Sequence, residues 1–579
     1  MHGRTRFDSE VVGGLPVISA FLEKLKVAEI VDDYVPWEGD VGLGKLVEIL
    51  ICNRLLNPTA MFRVGDWAEG AAVTDYYGVT KEELNDDRLG RALERLAKHP
   101  HVVQAGMVAQ AVKRFRLDVW QIHYDVSNVE LFGAYTRQLA EQGDPVDATD
   151  EAEEAEQAAE EKPEERGAPQ PMYGRTKSGR KNVKQIQFGI NVSRDGAVPV
   201  GHLPFDGNAA EAKTHLQNLQ LLRKVLPSTR VVYSADTKLD TDENLLGIAA
   251  SKGQFLCGGV FQPHLKSEYR KLRRQGKLRD IDYCPQSKMK LPPEERPKYQ
   301  AAEVKAHVDG SVDGRPRRVK YRLIYVWSET KAHDESQTRA RHIAKIKEQF
   351  ENVERNLNKY TLKSQEAIVK RLEAAKNKYS EGSLFDYQVA KIRKDQFTLS
   401  WSINKQRLKE LQETEGAYVL KTMLPKSTHT TADVVREYKE QIHVERRIKD
   451  LKGRLAVAPM FLEKPERMAG LLCILVWALM IMALMERAVR RNLKGKPMYG
   501  LYPENRPSPA PTGTSILNAF SNLCVVIIHE GKKTTRQLAE LNELQNKLLR
   551  YLDIPPNHLT AFKKKCEDLV RRTETEKVA

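Results

Sequence analysis

In the stretch TTADVVREYKEQIHVERRIKDLKGRL, residues 430–455, Glu445 stands among cations. Thr430 with Asp433 three residues on forms an N-cap pattern and Gly453 a stop, so the stretch is expected to be one helix. At about 100° per residue, Tyr438, Gln441, Glu445 and Lys452 fall within roughly 60° of one another. One face would then present a phenol, an amide, an acid and an ammonium, while Arg446, Arg447 and Lys449 point in other directions. An acid in a basic field is a place where a polyanion could be held and cut. The alternative is a solvated surface helix laced with salt bridges.

Tyr438, Glu445 and Lys452, spaced by six and six residues with Gln441 between the first two, resemble the Tyr-Arg-Glu-Lys signature of the DDE transposases of bacterial insertion sequences in the IS-four superfamily. Gln441 stands where that signature has Arg, which keeps a hydrogen-bonding side chain and removes a cation. Two further stretches, YGRTKSGRKNVKQIQFGINVSRDGAVP (173–199) and FDGNAAEAKTH (205–215), are similar to conserved blocks of the family, with Asn182 replacing a common Asp. Pro459, Pro465, Glu466 and Arg467 continue the likeness beyond Glu445.

The 579 residues suffice for two to four domains, and the formal charge of +15 favours a polyanionic partner. Residues 143–170 hold eleven acids against Lys162 and Arg166, so the rest of the chain is more basic than the total. Six cysteines lie far apart with no CxxC, which argues against a disulfide scaffold and a structural zinc. The N-terminus has no apolar signal core, so a cytoplasmic, nucleoid-associated location is expected. Met468–Met485 is apolar throughout, but Glu466, Arg467, Glu486 and Arg487 fence it. A buried core helix is expected there, and no membrane partner.

Residues 1–115 read as a helical DNA-binding or dimerisation region, with amphipathic runs at 16–32, 42–57 and 87–98. Residues 116–260 alternate strand and helix patterns. LDVWQIHYDV (117–126) reads as a buried strand ended by Asp125, and 183–193 with 197–205 as a hairpin. A helix is expected at 209–226, then a strand at 229–235 that delivers Asp236. Asp240 and Asp242 look like helix-entry residues. This order is that of an α/β, ribonuclease-H-like catalytic core, with 143–170 as an acidic flexible insert. Residues 261–429 have another texture, with strands at 305–328, 397–403 and 417–422 and a charged helical tract at 331–381 broken near 358–364. The family resemblance implies an insertion domain here, between the second Asp and the Glu. Residues 430–496 would complete the core, and after a Pro-rich linker 513–579 would be helical, with helices at 514–529 and 535–552.

The resemblance implies that Asp125, Asp236 and Glu445 are the catalytic residues and hold two Mg²⁺ (or Mn²⁺) ions. Tyr438, Gln441 and Lys452 would contact DNA, while Lys177, Arg180, Lys181 and Lys184 form a basic strip that reads equally as a second DNA contact or as solvated surface. The implied activity is cleavage at transposon ends and joining of 3′-OH ends to a target. The partners would be double-stranded DNA and a second copy of the chain in a homodimer. A DNA-binding relative that no longer cuts, and a nuclease of the same fold without strand transfer, remain as alternatives.

Overall fold

The chain begins with a strand where the sequence pattern predicts helix. β1 (Arg6–Val11) precedes α1 (Leu15–Leu25), α2 (Val27–Tyr34), α3 (Leu43–Leu56), α4 (Val64–Gly70), α5 (Val73–Tyr77), α6 (Asp86–Leu96) and α7 (Pro100–Phe115). The first amphipathic run is divided because Lys26 adopts φ 56°, a left-handed cap that ends α1 and starts α2. The computed structural model describes residues 5–131, 168–174, 176–177, 179–180, 182–226, 228, 230–393, 396–455, 462–530 and 533–564. The acidic tract, apart from residues 168–170, lies outside them, as do Pro459, Lys181 and Cys566.

The protein is mixed α/β and divides into two units, Met1–Gln254 with Glu440–Ala579, and Phe255–Lys439. In the first unit, β2 (Gln121–Glu130), β3 (Met172–Tyr173), β4 (Lys184–Ser193), β5 (Pro199–Phe205) and β6 (Val232–Ala235) form a mixed sheet. Both β3 and β5 pair with one side of β4, β4 pairs antiparallel with β2, and β2 pairs parallel with β6. The Glu211–Val225 helix links β5 to β6. Alternation in β2 sends Ile122, Tyr124 and Val126 to one face and Gln121, His123, Asp125 and Ser127 to the other. Asp125 does not end this strand as expected: β2 runs on to Glu130, and Asp125 lies opposite Ile190 of β4. Only the pairing with β6 stops short of Asp125.

The second unit is built on an antiparallel sheet in the order β7 (Gln254–Gly259), β13 (Ala417–Thr422), β10 (Arg315–Ser328), β9 (Tyr299–Val312) and β8 (Arg279–Asp280). Leu265, Tyr269 and Leu272 of the Pro263–Arg274 helix pack on it against Leu323, Tyr325 and Val419. The charged tract forms a hairpin of helices, Glu329–Arg355 and Gln365–Asn377. It closes over a second hairpin, β11 (Phe385–Arg393) and β12 (Gln396–Ile403), around Phe350, Ile368, Leu372, Phe385 and Phe397.

The chain re-enters the first unit through the Ile442–Gly453 helix and then the apolar helix Pro465–Leu493. The latter is long and apolar enough to cross a membrane, yet its most apolar window is 100% buried inside the protein. It packs on α3, α6 and β5, and Trp477 donates its indole N–H to Gln104 Oε1 at 2.8 Å. Beyond it, the expected C-terminal helices are replaced by Gly513–Asn518, the hairpin β14 (Cys524–Glu530) and β15 (Lys533–Leu538), and a helix over Glu543–Tyr551. The β-branched run Val525–Ile528 pairs with β1, so the first and last parts of the chain share one sheet. Arg536 of β15 ion-pairs with Glu10 and Asp75. The two terminal regions are therefore not separate helical regions.

Close approach of the apolar helix to α6 depends on Gly470, where a Cβ would lie 2.2 Å from the Leu93 carbonyl oxygen. Gly→Ala in a helix ordinarily stabilises by up to about 1 kcal/mol. Here the added methyl meets backbone, so Gly470→Ala is expected to destabilise by about 1–3 kcal/mol; urea denaturation reads the sign directly.

Candidate active site

The predicted continuous helix over 430–455 is two helices, Thr431–Lys439 and Ile442–Gly453. The predicted N-cap forms: Asp433 N–H donates to Thr430 Oγ1 at 3.2 Å, and Thr430 N–H to the Asp433 carboxylate at 2.9 Å. At the break the ladder tightens, with His443 N–H bonding the Glu440 carbonyl at 2.9 Å and Val444 N–H the Gln441 carbonyl at 3.2 Å. The cause is Gln441, which is drawn inward and is only 9% exposed. Its Nε2 donates to the Tyr124 carbonyl at 2.8 Å, and its Oε1 lies 3.1 Å from His123 Nδ1. Since a carbonyl can only accept, the amide oxygen must face the imidazole, so His123 Nδ1 carries the proton. Burial holds His123 down at about 4, so the ring is neutral at physiological pH.

Gln441 is thus a clamp between β2 and the Ile442–Gly453 helix, which corrects its expected role as a DNA contact. Tyr438 closes the preceding helix in the second unit, so the four-residue face does not exist on one helix. Arg447, expected to add to the basic field, is buried: it pairs with Glu486 of the apolar helix at 2.9 Å and donates to the Ala197 carbonyl at 2.8 Å.

With the helix pinned this way, Glu445 is exposed on it, and Asp125 and Glu445, remote along the chain, line one cavity of about 550 Å³ with Ser127, Lys177, Lys449 and Lys452. Asp236 follows β6 directly. The parallel register stops at His123 and Ser234, two residues before Asp125 and Asp236 respectively; Asp236 has left the strand to cap the turn that follows, yet its charge still acts on Asp125. Asp236 accepts from Lys238 N–H at 2.9 Å and does not line the cavity. Among the described residues no three His, Cys, Asp or Glu side chains are gathered closely enough to hold a metal ion. The structure therefore joins Asp125 with Glu445 and Asp125 with Asp236, without drawing all three into one cluster.

Burial pushes the Asp125 carboxyl up to about 6; the Lys177 ammonium opposes this, the Asp236 charge adds to it, and the Val126 N–H, donating at 2.9 Å, lowers it. Lys177 Nζ donates to the Val126 carbonyl at 2.5 Å, inside the site and not on an outer strip. Lys452 Nζ reaches Asn128 Oδ1 at 3.4 Å. Burial holds Lys452 below the usual ammonium range, with Lys177 lowering it further and Glu130 and Asp125 raising it. Arg180 is exposed and pairs with Glu130 at 3.4 Å. The Asp125 carboxyl, which burial leaves reluctant to ionise, thus lies in one cavity with two ammoniums that repel each other.

His123, Ser127 and Asn128 were not singled out from the sequence. For His123 and Ser127 the signal is the stripe Gln121, His123, Asp125 and Ser127, polar side chains alternating with Ile122, Tyr124 and Val126; Asn128 falls outside it.

Residues 7–102 match a family model described as Domain of unknown function (DUF4277), which falls on β1 and the helices through the start of α7. No curated protein gives a significant match to the chain.

Two outcomes follow from this geometry. Replacing Gln441 by Leu leaves His123 Nδ1 and the Tyr124 carbonyl buried without partners and is expected to cost about 2–4 kcal/mol in denaturant unfolding. Asp125 in the folded chain keeps its proton up to about 6 against an ordinary 3.8. The native state therefore binds more protons than the unfolded one between these values, and stability must fall as pH rises through that window. Asp125→Asn should flatten this decline and, without divalent cations, raise stability at neutral pH on the order of 2 kcal/mol.

Proposed function

We propose that the chain is a metal-dependent DNA transposase that binds transposon ends, cleaves phosphodiester bonds and joins the freed 3′-OH ends to target DNA. The observation that carries this reading is the shared cavity of Asp125 and Glu445, with Lys177 and Lys452 beside them and Asp236 immediately after the adjacent strand β6. The strand order β5, β4, β2, β6, with only β2 and β6 parallel and a helix between β5 and β6, supports a ribonuclease-H-like core. A family found in transposase-like proteins matches residues 7–102, and the +15 charge suits a DNA partner.

In this reading Asp125, Asp236 and Glu445 hold divalent cations, Mg²⁺ or Mn²⁺, because an all-oxygen donor set suits hard ions that keep part of their water. Bound there, two such ions supply Lewis-acid polarisation of the phosphodiester and neutralise developing charge. Lys452 and Lys177 orient a phosphate at the cavity, and Gln441 and His123 hold the Glu445 helix against the Asp125 strand. Arg180 lies outside the cavity as a DNA contact, and Tyr438 contacts DNA from the second unit. DNA would bridge two copies of the chain as a homodimer.

The separation of Asp236 from the cavity lining favours one second reading, a DNA-binding relative that no longer cuts. Cleavage of a duplex carrying the inverted repeats that flank the gene distinguishes the two. Asp125→Asn, Asp236→Asn and Glu445→Gln are each expected to abolish Mg²⁺-dependent cleavage by a factor of about 10³ or more while DNA-end binding persists. Undiminished cleavage would remove that residue from the site, absence of any cleavage by the native chain would favour the second reading, and joined transposon–target products would identify strand transfer.

A further inference from the structure

The second unit carries a feature that the carboxylate cavity does not use. Where the Glu329–Arg355 helix turns into the Gln365–Asn377 helix, Asn358 and Tyr360 both take left-handed backbone conformations, φ 64° and 48°. A bulky ring in that region is strained unless the surroundings fix it. The turn around it is held through Asn358: Asn358 Nδ2 donates to the Phe397 carbonyl at 3.0 Å, Phe397 N–H returns a bond to Asn358 Oδ1 at 2.8 Å, and Asn358 N–H reaches the Leu362 carbonyl at 2.9 Å. Phe397 pairs with Lys391 across the β11–β12 hairpin. The helix-to-helix turn and the start of β12 are thereby fastened into one tip.

The composition of that tip is one-sided. Residues 355–363 and 388–393 contain Arg355, Lys359, Lys363, Lys391 and Arg393 and no acid. All five cations are exposed, and none forms an ion pair among the described residues. Between them stand Tyr360, 81% exposed, and Ile392, 60% exposed. Large apolar groups set among unpaired cations on a stiffened turn match a duplex, whose phosphates take the cations while an aromatic or aliphatic wedge enters a groove. An acidic protein surface would satisfy the charges but gives no role to the exposed Tyr360 and Ile392.

We propose that this tip binds the backbone of duplex DNA, with Tyr360 and Ile392 against the groove. The proposal rests on the reading of DNA as the substrate, but its test needs no cleavage. With the full-length chain, binding of an arbitrary 30-base-pair duplex is followed by fluorescence anisotropy across a salt series. The variant with Lys359→Gln, Lys363→Gln, Lys391→Gln and Arg393→Gln is expected to bind about tenfold or more weakly. It should also lower the slope of log affinity against log salt by up to about 3.6, since each phosphate neutralised by one of the four cations adds roughly 0.9 to that slope. Tyr360→Ala should weaken binding about fivefold with the slope unchanged. Tyr360→Trp, with all cations intact, should lose indole emission when duplex is added. Native affinity and slope in the fourfold variant, or an unquenched Trp at saturating duplex, would overturn the proposal. So would polyglutamate that binds at the tip and is not displaced by duplex. Loss of cleavage in Asp125→Asn with the tip's salt slope retained would leave this proposal standing, whereas cleavage retained with no tip effect would sink it alone.

Discussion

Everything at the carboxylate cavity depends on one buried amide. Gln441 bonds a strand carbonyl with its nitrogen and an imidazole with its oxygen, so the Ile442–Gly453 helix cannot slide or rotate against β2 without breaking both bonds. A hydrophobic contact would tolerate such movement, because apolar packing has no direction. The same clamp explains why the helix starts where it does: the residue drawn inward interrupts the regular ladder, and the helix carrying Glu445 begins afresh beyond it. A second tie, Arg447 to Glu486, fastens that helix from behind to the apolar helix. Buried ion pairs contribute little net stability but are costly to break singly, which suits a tie whose purpose is position.

The apolar helix is the other constraint. It touches α3 and α6 on one side and β5 on another, so the helical N-terminal part and the sheet share a single core element. Gly470 allows α6 to approach at backbone distance, and Glu486, near the other end, accepts from Gly513 N–H at 2.7 Å as well as from Arg447. The element that looks most like a membrane span from composition therefore holds the cavity's supports together. It fills the role of a core helix because its whole apolar surface finds protein partners.

Electrostatics at the cavity run against the ordinary solution. Asp125 is raised by burial and by the neighbouring Asp236, and Lys452 is lowered by burial and by Lys177. Opposed shifts of this kind arise where charged groups are buried without enough opposite charge, not in a satisfied salt-bridge network.

Much of the fold was legible from local pattern. Alternation along 184–205 marks the β4–β5 hairpin, the run at 417–422 is β13, and the interruption near 358–364 is the turn between the two charged helices. These features are written in short-range periodicity and turn chemistry, which the chain carries wherever it is placed. Of the three acids named from the resemblance, the fold brings Asp125 and Glu445 to one cavity and leaves Asp236 outside its lining, and the polar stripe Gln121, His123, Asp125, Ser127 is visible in the strand's alternation. What tertiary structure alone decided came from partners distant along the chain. β1 and the β14–β15 hairpin are strands because each supplies the other's ladder, and an isolated stretch of that composition reads equally well as helix. The division at Gln441 and the burial of Arg447 arise because His123, the Tyr124 carbonyl and Glu486 wait at those positions in space. The sequence thus determined the residue types and their local periods, and the fold decided which polar side chains face the cavity and which are consumed in holding it, since that choice is made by hydrogen-bond partners no local window contains.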